Sequence, residues 1–149
     1  MPADTVLRRL ERSWADLHES FTGLTEAQLT QPGALGEWSV KDVLAHITTW
    51  EKEALKHLPT VARGERPPRY ASEGGIDAFN ARTAEANRQL SLATVQQNFD
   101  RTHANLVRFL KESPAENFTA RFVKRLRLDT YGHYNLHAKA IREWRSRIA

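Results

Sequence analysis

Residues 39–50 read SVKDVLAHITTW and contain both a helix start and a helical repeat of apolar positions. Ser39 is a favoured N-cap residue, and Asp42 places a negative charge in the first turn. The apolar side chains that follow recur at helical spacing, namely Val40, Val43, Leu44, Ile47 and Trp50. This pattern predicts an amphipathic helix from Ser39 to about His57, just before Pro59.

A helix of the same kind is predicted ahead of this stretch. It begins near Asp4 and ends before Gly23. Its apolar stripe is formed by Val6, Leu7, Leu10, Trp14, Leu17 and Phe21. Between the two helices, Thr25 and Gln28 have the spacing of a capping box for one short turn. Pro32, followed by a glycine, then breaks the chain.

Two more amphipathic stretches lie in the second half of the chain. One covers residues 77–113 with a cap at Ser91, and it is either two helices or one kinked helix. The other is the last helix, from about Asp129 to Arg147. Residues 114–128, between them, fit a loop, a strand or a helix.

The longest connection is predicted over residues 59–75. Its prolines and glycines are Pro59, Gly64, Pro67, Pro68, Gly74 and Gly75. Loops of this length in compact domains are often functional lids or partly disordered, and one interpretation is that this loop covers a metal site. The chain has neither βαβ alternation nor a phosphate-binding glycine loop. The prediction is a single all-α domain over residues 1–149, a four-helix bundle with this loop between its second and third helices.

Composition excludes several protein classes. The chain has 149 residues, 40% of them hydrophobic, and no cysteine. Disulfides, thiolate zinc sites and cysteine nucleophiles are therefore excluded. No apolar run is long enough to cross a bilayer, and the first residues lack the basic and apolar segments of a signal peptide. We expect a cytoplasmic protein with no membrane partner.

Positive charge is concentrated at the end of the sequence. Residues 121–149 contain eight Lys and Arg against two acidic residues, a net charge of +6 within a chain of net charge +4. Such a segment can attract nucleic acid or anionic substrates. It is also typical of a solvated helix face. We favour the solvated face, and do not expect nucleic acid as a partner.

The six histidines contain one pair at helical spacing. His133 and His137 are four positions apart on the last helix. Their rings are then about 40° apart around the axis and about 6 Å apart along it, which suits two ligands of one divalent ion. The same spacing also occurs in surface or packing pairs. We expect His18, His57 and His103 to face solvent or to form local hydrogen bonds.

His46 lies in the middle of the predicted second helix, beside its apolar stripe. A buried histidine needs a polar partner. One interpretation is a neutral imidazole bonded to a carbonyl or hydroxyl group. The other is a third ligand that meets His133 and His137 across the bundle. Three imidazoles leave coordination positions open to water or substrate, as in catalytic metal sites.

Two motifs resemble those of a known family. The stretch GEWSVKDVLAHITTWE over residues 36–51 resembles the corresponding segment of the DinB superfamily, and HYNLHAKAIREW over residues 133–144 is similar to its closing motif. The start of the third helix, Asp77-Ala78-Phe79-Asn80, is similar to the helix that follows a long loop in this family. The resemblance spans about residues 5–147, and the nearest branches are the DinB-like damage-inducible proteins and the ClbS/DfsB-like group.

The resemblance implies a DinB/YfiT-type four-helix bundle of up-down-down-up topology, often dimeric. It also implies a divalent transition metal such as zinc, nickel or iron, held by His46, His133 and His137. The family includes S-transferases and a maleylpyruvate isomerase that use low-molecular-weight thiols. Its ClbS-like members protect against a genotoxic metabolite by opening a cyclopropane ring. We therefore expect a small-molecule substrate and a homodimer.

Three functions remain open at this stage. The first is a metal-dependent transferase or hydrolase for small electrophiles, acting in detoxification or stress response. The second is a non-catalytic protein that sequesters a toxic molecule, and the third is a nucleic-acid-associated damage-response protein. In the first case any thiol nucleophile must be a cofactor, because the chain has no cysteine.

Several residues near the proposed ligands have two interpretations. Asp129 either orients an imidazole or caps the last helix. Lys41 and Arg142 either hold an acidic substrate or are ordinary surface charges. The aromatic residues that either line the pocket or pack in the core are Trp38, Trp50, Tyr131 and Tyr134.

Overall fold

The computed structural model describes residues 2–149, and over that range it has seven α-helices and no β-strand. The helices are α1 (Ala3–Phe21), α2 (Glu26–Thr30), α3 (Val40–Ala62), α4 (Ile76–Asn87), α5 (Leu92–Glu112), α6 (Ala120–Asp129) and α7 (Tyr131–Ile148). Two short 3₁₀ turns occupy Tyr70–Glu73 and Ala115–Asn117. The predicted all-α class is confirmed.

The four longest helices form a bundle. Helix α1 packs along α7, and α3 packs along α5, while α6 lies against both α3 and α7. Apolar side chains from these elements form one continuous core. None of the described helices is long and apolar enough to cross a membrane.

Helix α3 begins where the sequence predicts. The Ser39 hydroxyl accepts a hydrogen bond from the Asp42 amide over 3.1 Å, and the Asp42 carboxylate accepts one from the Ser39 amide over 3.0 Å. The predicted end near His57 is wrong, because the helix continues through Pro59 to Ala62. Burial of apolar side chains in the added turn, including the fully buried Leu58, offsets the cost of the proline.

The long connection is shorter than predicted, because α3 takes up its first residues. It covers residues 63–75 and contains the turn Tyr70–Glu73. Gly74 and Gly75 both have positive φ, 87° and 94°, a conformation that favours glycine. They end the turn and start α4. The stretch 77–113 forms two separate helices, with Ser91 capping the second as predicted.

The ambiguous segment 114–128 becomes a 3₁₀ turn followed by most of α6. The last helix begins at Tyr131 and not at Asp129, because Thr130, with φ −130° and ψ −100°, interrupts the helical path. The α6 and α7 backbones come very close here. A Cβ added to Gly132 would lie 2.8 Å from the carbonyl oxygen of Arg127. This tight junction fixes the start of the helix that carries His133.

Candidate metal centre

The structure brings His46, His133 and His137 together. His46 lies in the first half of α3, and the other two lie one turn apart near the start of α7. One ring nitrogen from each residue can be chosen so that all three lie within 4.8 Å of one another. The ring centroids are 5.3 Å to 5.9 Å apart. This spacing suits three ligands arranged around one ion.

The three imidazoles are neutral near pH 7. Burial, followed by the neighbouring His137 and His133, lowers the pKa of His46 to about 3. Burial and then His133 lower the pKa of His137 to about 4. Burial also lowers the pKa of His133. Since only a neutral imidazole has a lone pair to donate, the cluster is ready to bind a cation.

The donor set fits a divalent transition metal. Imidazole nitrogen is a good ligand for zinc, nickel, copper and iron, and three of them leave coordination positions open. The Nδ1 atom of His133 is buried and has no hydrogen-bond partner among residues 2–149. A buried polar atom without a partner is costly, and a bound ion or water can satisfy it.

A cavity of about 410 Å³ lies against the three histidines. We call it the histidine cavity. Its other lining residues are Trp50, Tyr70, Ile76, Asn80, Arg125, Leu128, Asp129 and Leu136. The Trp50 indole N–H donates to Asn80 Oδ1 over 2.9 Å, and the ring meets His133 edge-on at 5.9 Å. Trp50 therefore has a fixed orientation at the cavity wall.

The other aromatic candidates take different positions. The Trp38 ring lies 5.0 Å from that of His46 but does not line the histidine cavity. Tyr131 is buried in the core. Tyr134 is also fully buried, and its hydroxyl donates to Glu51 over 2.6 Å. Of the four aromatic residues considered, only Trp50 faces the cavity.

Asp129 has neither of the roles predicted for it. It ends α6 and so does not cap α7. Its Oδ2 accepts a 2.6 Å hydrogen bond from Arg125 Nε and none from an imidazole. Asp129 nevertheless lines the cavity, and burial raises its pKa to about 6 against the opposing effect of Arg125.

A polar network extends from Asp129 away from the histidines. Arg125 Nη2 donates to the Tyr70 hydroxyl over 3.1 Å, and that hydroxyl donates to Glu53 Oε1 over 3.0 Å. The same carboxylate oxygen lies 3.6 Å from His57 Nε2. Sequence reasoning missed this network. Only the four-residue spacing of Arg125 and Asp129 on one helix could have indicated part of it.

The remaining histidines divide into three cases. His18 is exposed, as predicted, and lies 3.8 Å from Asp100. His57 is buried, and the carboxylate of Glu53, one turn away on α3, lies 3.6 Å from its Nε2. The prediction for His103 is wrong, because it is buried and its Nδ1 lies 2.8 Å from Glu51 Oε2 on another helix. The His103 ring also stacks on the Trp14 ring, with the two centroids 3.6 Å apart, and this contact stabilises its buried position.

Neither basic residue considered for an acidic substrate faces the histidine cavity. Arg142 forms two hydrogen bonds with the carboxylate of Asp16 on α1, of 2.7 Å and 3.0 Å. Lys41 lies in the first turn of α3 and does not line the cavity. The cationic residue that does line it is Arg125.

Solved structures share this fold over nearly the whole chain. One described as the sibling lethal factor precursor DfsB has a TM-score of 0.79 at 13% identity, covering 99% of this chain and 96% of that one. An uncharacterised protein from Escherichia coli UTI89 has a TM-score of 0.79 at 12% identity, with coverages of 98% and 94%. The colibactin self-resistance protein ClbS, in complex with a dsDNA, has a TM-score of 0.77 at 9% identity, with coverages of 95% and 94%.

The sequence itself gives the family. No curated protein matches it. The sequence profile of the DinB superfamily matches residues 9–139, which is most of the chain. This match includes the first histidine motif and the start of the second, and the chain belongs to the DinB superfamily.

Proposed function

We propose that this protein is a divalent-metal-dependent enzyme that acts on small electrophilic molecules, as a thiol-dependent transferase or a hydrolase. His46, His133 and His137 hold the metal. The observation that carries the proposal is the convergence of three neutral imidazoles, with ligand atoms within 4.8 Å of one another, on a cavity of about 410 Å³. A site of this kind binds a cation and leaves room for a substrate.

A divalent ion held here supplies Lewis acidity that lowers the pKa of a thiol or a water molecule. The rest of the chemistry belongs to the chain. Trp50 forms an apolar wall of the cavity and lies against the ring of His133. Asp129, with a pKa of about 6, takes up a proton at its carboxylate near neutral pH. Because the chain has no cysteine, the thiol is a low-molecular-weight cofactor.

A second candidate function is self-resistance, by binding or by hydrolysing a toxic small molecule. The likeness of the fold to that of ClbS, described as a colibactin self-resistance protein, favours it. The ClbS structure contains a dsDNA, which disagrees with our expectation that nucleic acid is not a partner.

A homodimer and a cytoplasmic location remain part of the proposal.

Metal analysis tests the primary proposal. We expect protein purified without chelator to contain about one transition-metal ion per chain, and the His46→Ala variant to contain far less. His18→Ala is the matched control, because His18 is an exposed histidine away from the cluster. Well under one ion per chain in the parent, or equal metal in parent and His46→Ala, contradicts the proposal.

A turnover assay separates catalysis from sequestration. The metal-loaded protein is incubated with a small electrophile, with and without a low-molecular-weight thiol, and the products are analysed by mass spectrometry. A thiol adduct or a hydrolysis product that disappears in His46→Ala supports an enzyme. Recovery of the electrophile unaltered, although bound, supports sequestration.

A further inference from the structure

A second cavity, of about 640 Å³, adjoins the histidine cavity. It lies between the 63–75 connection and α6, and we call it the basic groove. The two cavities share the lining residues Tyr70, Ile76, Arg125 and Leu128. A molecule that occupies the basic groove can therefore extend into the histidine cavity.

We propose that the basic groove binds the anionic end of a small organic molecule that also has an apolar body. A carboxylate or phosphate of that molecule would lie among the cationic side chains of the groove. Its apolar body would contact the residues between the two cavities, and its reactive end would lie at the histidines. This inference rests on the proposed function and adds to it the chemical class of the substrate.

The charge of the groove selects for an anion. Its lining includes five cationic side chains and no acidic one: Arg66, Arg69, Arg121, Lys124 and Arg125. Among residues 2–149 only Arg125 of these forms an ion pair, with Asp129. Arg121 donates only to a backbone carbonyl. The other three have neither an ion pair nor a side-chain hydrogen bond in the described chain. A concave surface lined by one sign of charge concentrates ions of the opposite sign.

The exposed apolar residues select for an apolar body. In the described chain four large hydrophobic side chains are exposed, and three of them line these two cavities. Ile76 and Leu128 are each 52% exposed where the cavities meet, and Leu136 is 67% exposed beside the histidines. A cluster of exposed apolar residues marks a binding site. The phosphate backbone of a nucleic acid needs cations but gains little from this surface, which favours an amphiphilic small molecule.

Arg125 connects the two cavities. This residue lines both of them, and its guanidinium is held by Asp129 and by the Tyr70 hydroxyl. Since two partners fix this side chain, its position does not depend on a ligand. Arg69 and Lys124, in contrast, are exposed and lack partners, so they can reorient toward an incoming anion.

Two fluorescent probes that differ in charge test the proposal. 1-Anilinonaphthalene-8-sulfonate is anionic, and N-phenyl-1-naphthylamine is its neutral counterpart. We expect saturable binding of the anionic probe, weakened by about tenfold or more in Arg69→Gln/Lys124→Gln, with binding of the neutral probe nearly unchanged. The control, Arg12→Gln/Arg101→Gln, removes two exposed charges elsewhere and should change neither affinity.

Any of three results would overturn the proposal, as would binding of the anionic probe that does not depend on Arg69 and Lys124. The first is equal weakening of the anionic probe in both double variants, which would show an effect of net charge alone. The second is no saturable binding of that probe by the parent. The third is tight, steeply salt-dependent binding of a short duplex DNA that displaces the probe and is lost in Arg69→Gln/Lys124→Gln.

The His46→Ala variant separates this inference from the proposed function. If it loses metal but binds the anionic probe like the parent, both proposals stand. If the parent itself carries no metal but binds the probe through Arg69 and Lys124, the enzyme proposal fails and the anion site stands. If the metal is present and the probe binds regardless of these two residues, only the anion site fails.

Discussion

The Tyr134 hydroxyl donates a hydrogen bond to Glu51 Oε2 across 2.6 Å, between two side chains that are fully buried. Tyr134 directly follows His133 on α7, and Glu51 lies on α3, which carries His46. The same carboxylate oxygen is 2.8 Å from His103 Nδ1 on α5. One buried carboxylate therefore links the two helices that carry the histidine cluster to a third helix.

Removing this carboxylate should destabilise the bundle. Glu51→Ala removes the carboxylate that both the Tyr134 hydroxyl and the His103 ring contact, and leaves them only their longer contact of 3.4 Å with each other. We expect it to lower the free energy of unfolding by about 3 kcal/mol. Tyr134→Phe, which removes one donor, should cost about 1–2 kcal/mol. Urea denaturation measures both.

The control is Glu11→Ala, which removes an exposed ion pair of 3.9 Å with Lys111 and should cost less than about 0.5 kcal/mol. A similar loss of unfolding free energy in Glu51→Ala and Glu11→Ala would contradict the role assigned to the buried Glu51 carboxylate.

Stability of the metal-free protein should depend on pH through the histidine cluster. The folded-state pKa of His46 is about 3, below its ordinary value of 6.5. Between these values the unfolded chain binds more protons, so the contribution of His46 to stability falls as pH falls. We expect that loss to be on the order of 1–2 kcal/mol from pH 7 to pH 5, measured by urea denaturation with chelator present.

The diagnostic quantity is the loss of unfolding free energy from pH 7 to pH 5, compared between the parent and His46→Gln. Asp129 contributes the opposite slope, because its pKa is raised to about 6 and the folded state holds its proton more tightly. His46→Gln should remove the contribution of His46 and leave those of His133, His137 and Asp129. His18→Gln, at an exposed histidine, should follow the parent. Identical pH profiles for parent and His46→Gln would rule out a neutral, buried His46.

Local signals in the sequence correctly predicted the starts of α3 and α5. Ser39 and Ser91 cap their helices because the hydroxyl and the amide it accepts from lie within one turn of chain. The end of α3 could not be predicted in this way. Pro59 is a local signal to stop, but the burial of Leu58 depends on other helices and outweighs it. The break at Thr130 likewise depends on the contact of α6 with α7.

Only part of the candidate site could be predicted from the sequence. The spacing of His133 and His137 placed them on one helix face, and the apolar stripe beside His46 together with the family motif suggested the third position. The partners of Glu51 are 52 and 83 positions away in the sequence. No local pattern connects residues so far apart. The basic groove was missed for the same reason, because its cations come from α6 and from the separate 63–75 connection.

The junction of α6 and α7 should not tolerate a side chain at Gly132. A Cβ there would lie 2.8 Å from the Arg127 carbonyl oxygen, so the backbone must shift. We expect Gly132→Ala to cost about 1–3 kcal/mol of stability and to weaken metal binding through the displaced His133. Thermal unfolding and a competitive metal titration measure the two effects.

The control is Asn135→Ala, at an exposed position of α7, which should change neither the stability nor the metal affinity. A stable Gly132→Ala variant with parental metal affinity would contradict this account of the junction.

Arg125 should hold the pKa of Asp129 below the value that burial alone would give. Its hydrogen bond and its charge both lower the pKa of that carboxyl, whereas burial raises it, with a net result of about 6. Arg125→Met removes both lowering effects, so the Asp129 pKa should rise above about 6. The carboxyl then stays protonated to higher pH. Carbon-detected NMR titration of the aspartate side chains measures this directly. Arg127→Met, at an exposed arginine on the same helix, should leave the Asp129 pKa unchanged. An unchanged value in Arg125→Met, or a fall, would mean that the 2.6 Å contact does not set the charge of this carboxylate.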